Sequence, residues 1–121
     1  MANTRGETGF DLEDRTARFG ENVIRFAKTM KRSPVNDPLI SQVVRAATSV
    51  GANYCEANDG VSKRDFRNKI GLCRKESHEA KHWLRMIAAA NENMKEEARV
   101  LWQEAKELNL IFSKIFRSSS S

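Results

Sequence analysis

A chain of 121 residues with 40% hydrophobic and 31% charged residues, 2 prolines and 6 glycines has the length of one domain and the composition of a compact fold. That excludes collagen-like, mucin-like and wholly disordered chains, and a formal charge of +5 leaves a polyanion among the candidate partners. No run of about 18 apolar residues is present and residues 1–10 lack the apolar segment of a signal peptide, so the expectation is a cytoplasmic protein with no membrane partner.

Residues 1–10, polar and glycine-containing, read as a flexible N-terminal tail. A first helix is predicted over about 11–32, where Leu12, Thr16, Phe19, Val23, Phe26 and Met30 step by four and three residues and form one face. The first break holds both prolines, Pro34 and Pro38; Asp37 can cap the next helix with Pro38 in its first position, where a missing N–H costs nothing. The second helix, about 38–58, carries Ile40, Val43, Ala47, Val50, Tyr54 and Ala57 on its inner face. After a break centred on Gly60, Ser62 and Asp65 have the spacing of a capping box with Asp in place of Glu. They open a third helix over about 62–91, striped with Phe66, Ile70, Cys73, Ser77, Ala80, Leu84 and Ile87. A last break near Asn91 and Asn93 precedes a fourth helix over about 94–117, with Met94, Ala98, Leu101, Ala105, Leu108, Phe112 and Ile115 inward. The serines at 118–121 read as a second flexible tail.

Four amphipathic helices joined by short connections predict an all-α fold, an antiparallel up-down-up-down four-helix bundle spanning 11–117. The rival, one long coiled coil, is interrupted at Pro34, Pro38 and Gly60. Cys55 and Cys73 sit alone on different helices and are expected as buried thiols rather than a disulfide. Helix 3 has a second stripe, Leu72, Glu76, Glu79, Trp83, Met86 and Ala90, to one side of its core face. A Trp and a Met there fit either a self-association surface, to which Trp102, Gly51 and Ala52 would add, or a wide core seam with Trp83 over the bundle edge.

The stretch 62–85 carries eight basic residues against three acidic ones, a net +5 that accounts for the whole formal charge. In an antiparallel bundle the start of helix 3 lies beside the end of helix 4, which would gather Lys63, Arg64, Arg67, Lys114 and Arg117 at one end as a candidate RNA- or DNA-binding rim. A charged helix is also commonly just a solvated face, and the expectation is that no aromatic accompanies these basic residues in a position to stack on bases.

His78-Glu79-Ala80-Lys81-His82 matches the H-E-x-x-H pattern in which two histidines one turn apart hold zinc and the Glu acts as general base. The chain has only 2 histidines, so the third ligand would have to be a carboxylate such as Glu104, and no strand is available to hold an extended substrate. Glycine-rich phosphate loops, Gly-x-Ser-x-Gly elbows and Cys-x-x-Cys pairs are absent. The expectation is a non-enzyme with no catalytic residues, no cofactor and no resident metal.

The segment from Arg45 through Ser49, Asn53 and Glu56 to Asn58, with Ser62-Lys-Arg-Asp-Phe66 and Lys75-Glu76-Ser-His-Glu79-Ala-Lys-His-Trp83-Leu84, resembles the bacterial four-helix-bundle proteins related to the 23S rRNA-intervening-sequence proteins. The resemblance covers most of the chain between Phe10 and Arg117 and implies an antiparallel four-helix bundle assembled as a homopentamer. It implies no biochemical activity. Position 78 departs from the family pattern, in which histidine is not typical, whereas Glu79, Trp83 and Leu84 match it. The family motif residues Asn53 and Glu56 share a helical face; they are expected to satisfy the turn between helices 2 and 3 or to pair with Arg15, Arg18 or Arg67 across the bundle, the alternative being a ligand-binding role. Glu76 and Glu79 are placed to pair with Arg45 or with a basic residue of a neighbouring subunit.

Overall fold

The computed structural model describes residues 11–119. It contains four α-helices, α1 (Leu12–Lys28), α2 (Asn36–Asn58), α3 (Lys63–Ala90) and α4 (Lys95–Ser118), with a 3₁₀ turn at Glu92–Met94 before α4. No strand occurs among the described residues. The expected tails at 1–10 and 120–121 lie outside them.

The helices are four because each apolar stripe is too narrow to be covered by itself and is buried only against the others. Leu12, Thr16, Phe19, Val23, Phe26 and Met30 of the first stripe are all buried, as are Val43, Ala47, Val50 and Ala57 of the second. Ile70, Cys73, Ser77, Ala80, Leu84 and Ile87 from α3, and Met94, Ala98, Leu101, Ala105, Leu108 and Phe112 from the fourth stripe, complete the core. Ile40, Tyr54, Phe66 and Ile115, expected inside, are half-buried and lean on that core from its edge.

Helix boundaries depart from expectation where side chains compete for backbone groups. α1 stops at Lys28 rather than 32, because the Thr29 hydroxyl donates to the Phe26 carbonyl at 2.7 Å and the Thr29 and Met30 N–H groups turn back to Phe26 and Ala27. Met30 still reaches the core. α2 starts at Asn36, two residues early, since the Ser33 hydroxyl accepts from the Asn36 N–H at 2.9 Å. Asp37 is therefore not the cap; its carboxylate takes the Ser33 N–H and Arg32. Pro38 falls at the third helical position, still among the N–H groups that have no helical partner. Ser62 caps α3 as predicted, accepting from the Asp65 N–H at 3.0 Å. α4 extends to Ser118, whose hydroxyl donates to the Lys114 carbonyl, so the first tail serine belongs to the helix.

Pairwise contacts fix which helices neighbour one another. Thr16 meets Gly51 and Gly20 meets Thr48 between α1 and α2. Between α2 and α3, Glu56 pairs with Lys69 at 2.6 Å, the Cys73 thiol reaches the Val50 carbonyl, and Arg45 holds Glu76 and Glu79. Asn109 of α4 donates to the Arg74 carbonyl and to Ser77, and Phe116 lies against Gly71. Along these three interfaces residue numbers rise on one helix as they fall on the other. Arg15 ties α1 to α4 by a two-pronged pair with Glu104 at 2.7 and 2.8 Å and a third bond to Glu107.

Both cysteines are free thiols, but only Cys73 is buried; Cys55 is exposed because it faces outward from α2, off the core stripe. Burial pushes the Cys73 thiol up to about 12, so it stays protonated and inert. Among the described residues no helix is long and apolar enough to cross a membrane.

Candidate nucleic-acid interface

α3 carries charge on most of its outward turns, and its two flanks differ. On the flank toward α2 the carboxylates are occupied: Arg45 donates to Glu76 at 3.0 Å and to Glu79 at 2.6 Å, and Lys69 pairs with Glu56. Within one chain, Glu76 and Glu79 both have Arg45 as their partner. These contacts hold the Arg45 guanidinium firmly charged, through the bond to Glu79 first and Glu76 second.

Toward α4 the pattern reverses. Gly71 leaves room for Phe116, whose ring would come within 3.1 Å of a Cβ at that position. The ring drawn in this way lies under two cations of α3, Arg67 at 3.8 Å and Arg74 at 5.2 Å from its centroid. Farther along, Lys81 of α3 and Lys106 of α4 each stand 5.6 Å from the centre of the Trp102 ring. Between the two aromatic groups is an open depression of about 500 Å³ lined by Gly71, Arg74, Lys75, His78, Asn109 and Ser113, with no carboxylate in its lining. Among the described residues no carboxylate forms an ion pair with Lys63, Arg64, Arg67, Arg74, Lys75, Lys81 or Arg85.

The five rim residues come together in part. Lys63 lines an open cleft of about 540 Å³ with Ser118 and Ser119, which places the start of α3 beside the end of α4. Lys63, Arg64, Lys114 and Arg117 are exposed. Arg67 is not: it is half-buried on Phe116 with its Nε enclosed and without an acceptor. Glu56, Asp59 and Asp65 share this end, so it is mixed rather than uniformly basic. The expectation that no aromatic accompanies the basic residues is corrected, since α4 supplies Phe116 and Trp102 across the helix interface. Linear spacing within α3 holds no trace of them.

Of the second stripe on α3, Leu72 is 38% exposed, whereas Trp83 is half-buried against the core and edge-on to His82 with centroids 4.9 Å apart. Its indole N–H is enclosed without an acceptor. Met86 is likewise half-buried. Trp102, expected to add to an association surface, is half-buried with Lys81 and Lys106 near its ring; Gly51 is half-buried beside Thr16, and Ala52 is exposed. Asn53 donates to the Ser49 carbonyl of its own helix at 2.9 Å, and Glu56 finds Lys69. Neither pairs with Arg15, Arg18 or Arg67, because Arg15 serves α4, Arg18 serves Asp14 and Arg67 packs on Phe116.

His78 and His82 are exposed, and Glu104, the carboxylate a zinc site would need, is bound by Arg15. No cluster of three His, Cys, Asp or Glu side chains able to hold a metal occurs among the described residues.

No curated protein matches the chain. A solved structure that does match, a protein with unknown function from the S23 ribosomal protein family of Bacteroides thetaiotaomicron VPI-5482, superposes with a TM-score of 0.79 at 25% identity, covering 87% of this chain and 94% of that one. Residues 10–114 match the model of the 23S rRNA-intervening sequence proteins, and a match over that much of the molecule, joined to a four-helix bundle, makes the chain a member of the 23S rRNA-intervening sequence protein family.

Proposed function

We propose that the protein is a non-enzymatic, cytoplasmic, homo-oligomeric bundle that binds RNA or DNA through the positive charge of α3. Its helices run antiparallel, up-down-up-down, a reading supported by the opposed order of the pairs Thr16–Gly51 and Gly20–Thr48, Glu56–Lys69 and Arg45–Glu79, Gly71–Phe116 and Ser77–Asn109. The observation that carries the binding function is the separation of charge on α3: on the flank toward α2, Glu76 and Glu79 are neutralised by Arg45 and Lys69 by Glu56, while Lys63, Arg64, Arg67, Arg74, Lys75, Lys81 and Arg85 form no ion pair with a carboxylate among the described residues. Fixed positive charge of this kind attracts phosphates without selecting sequence.

The test is a filter-binding titration with mixed RNA and DNA at low and moderate salt. Binding is expected at low salt and should weaken steeply as salt rises. Reversing Lys63 and Arg64 to Glu should reduce both affinity and salt dependence, whereas reversing Lys95 and Arg99 at the far end should leave them unchanged. Absence of binding at low salt would overturn the reading.

Self-association, with five subunits as the family resemblance implies, is supported by Leu72, an exposed apolar side chain on the same stripe of α3 as Trp83 and Met86. Sedimentation at tens of micromolar protein should show an oligomer. Leu72→Lys, which leaves the core packing almost untouched, should dissociate it while helical circular dichroism persists; a wild-type monomer would contradict the assembly.

A further inference from the structure

We propose that the seam between α3 and α4 binds the outer phosphates of a nucleic-acid duplex and does not stack bases. This deepens the nucleic-acid reading above and rests on it.

Arg67, Arg74 and Lys81 are spaced seven residues apart, which sets them on one side of α3 over about 20 Å at ~1.5 Å per residue. Gly71 brings Phe116 under the first two, and α4 adds Lys106 opposite Lys81. Like charges are thereby drawn to a common ring, Arg67 with Arg74 and Lys81 with Lys106, and no ion-paired carboxylate relieves their repulsion. A cation–π contact leaves the cation its full charge, so the rings organise these cations without neutralising them. The depression between the two groups offers donors: the Arg74 guanidinium, the Lys75 ammonium and the Ser113 hydroxyl. A phosphate seated there would meet positive charge on both sides.

The same geometry excludes base stacking. Proteins that hold single strands present open aromatic faces to successive bases. Here Phe116 carries Arg67 at 3.8 Å and Trp102 lies beneath two lysines, so the faces are already occupied by cations. What remains is a straight row of charge suited to a rigid polyanion whose bases are turned inward. A duplex presents a phosphate on each strand about every 3.4 Å of its axis, so roughly six per strand fall along 20 Å.

The experiment uses the full chain with four fluorescein-labelled probes of equal length, duplex RNA, duplex DNA and the two corresponding single strands, followed by anisotropy at low salt. Both duplexes should bind at least tenfold more tightly than either single strand. Arg74→Gln with Lys81→Gln should weaken duplex binding by about tenfold or more and flatten the dependence on log salt by about 0.9 for each phosphate no longer neutralised. Lys28→Gln with Lys31→Gln, an equal loss of charge on α1 and the turn after it, should leave affinity within a few-fold. In a Trp83→Phe background, where Trp102 is the only indole, unlabelled single strand should not quench fluorescence. Equal or tighter binding of single strands with quenching of Trp102 would overturn the duplex proposal while leaving nucleic-acid binding intact, as would equal losses from the two glutamine pairs. Failure of every probe to bind would overturn both.

Discussion

Replacing Phe112 with alanine should lower the free energy of unfolding by about 3–5 kcal/mol, the range for deleting a fully buried aromatic side chain. Phe112 is 0% exposed, sits in the core with α4's Leu108 and Ala105, and faces the Tyr54 ring of α2 with centroids 5.7 Å apart. Its removal leaves a void in the core beside the Tyr54 ring. Val100→Ala, at a position 68% exposed on the same helix, should shift stability by no more than about 0.5 kcal/mol. Urea denaturation followed by circular dichroism checks both; a loss below about 1 kcal/mol for Phe112→Ala would contradict this packing.

A second large effect is expected where two connections meet. Asn36 is buried, and its side-chain amide exchanges two hydrogen bonds of 3.0 Å with that of Asn91. Each amide also donates to a carbonyl, Asn36 to Lys31 at 2.7 Å and Asn91 to Ile87 at 3.0 Å. The pair thereby fastens the α1–α2 connection to the end of α3. Asn91→Ala strands the Asn36 carbonyl oxygen without a donor and should cost about 1–3 kcal/mol. Asn36→Asp should cost more at neutral pH, because a carboxylate would face the Lys31 carbonyl and the Asn91 side-chain oxygen, two acceptors. Protonation relieves that repulsion, so the folded state would bind the proton more tightly than the unfolded one. The defect should shrink as pH falls toward 4, in denaturation curves measured against wild type at each pH; a defect that grows on acidification would contradict the assigned bonds.

The core was legible in the sequence because burial in a helical bundle repeats with the helix period: Phe19, Val23, Ile70, Leu84 and Phe112 fall on their stripes and are all buried. Helix ends were legible only where the cap is strictly local. Ser62 caps α3 as its spacing with Asp65 suggests, but α1 ends early because a Thr29 hydroxyl competes for the Phe26 carbonyl, which periodicity does not register. The site was less legible still. Charge counting finds α3, yet it cannot tell that Glu76 and Glu79 are claimed by Arg45, or that Arg67 is drawn off the rim onto Phe116. Those facts depend on which helix lies beside α3 and on a glycine at 71 that lets an aromatic from α4 approach. Leu72 and Ala90 are exposed on a stripe whose other members prove half-buried, so the sequence marked the stripe but not which of its members face solvent.

Lysine footprinting tests the placement of nucleic acid most directly. Acetylation rates of the folded protein, measured with and without saturating duplex at low salt, report each ammonium separately and need no substitution. Binding along the α3–α4 side should protect Lys75, Lys81 and Lys106, together with Lys63 and Lys114 at the end of the bundle, by several-fold. Lys28, Lys31 and Lys95 should react at unchanged rates. Protection centred on Lys28 and Lys31, or spread equally over every lysine, would contradict an interface built on α3.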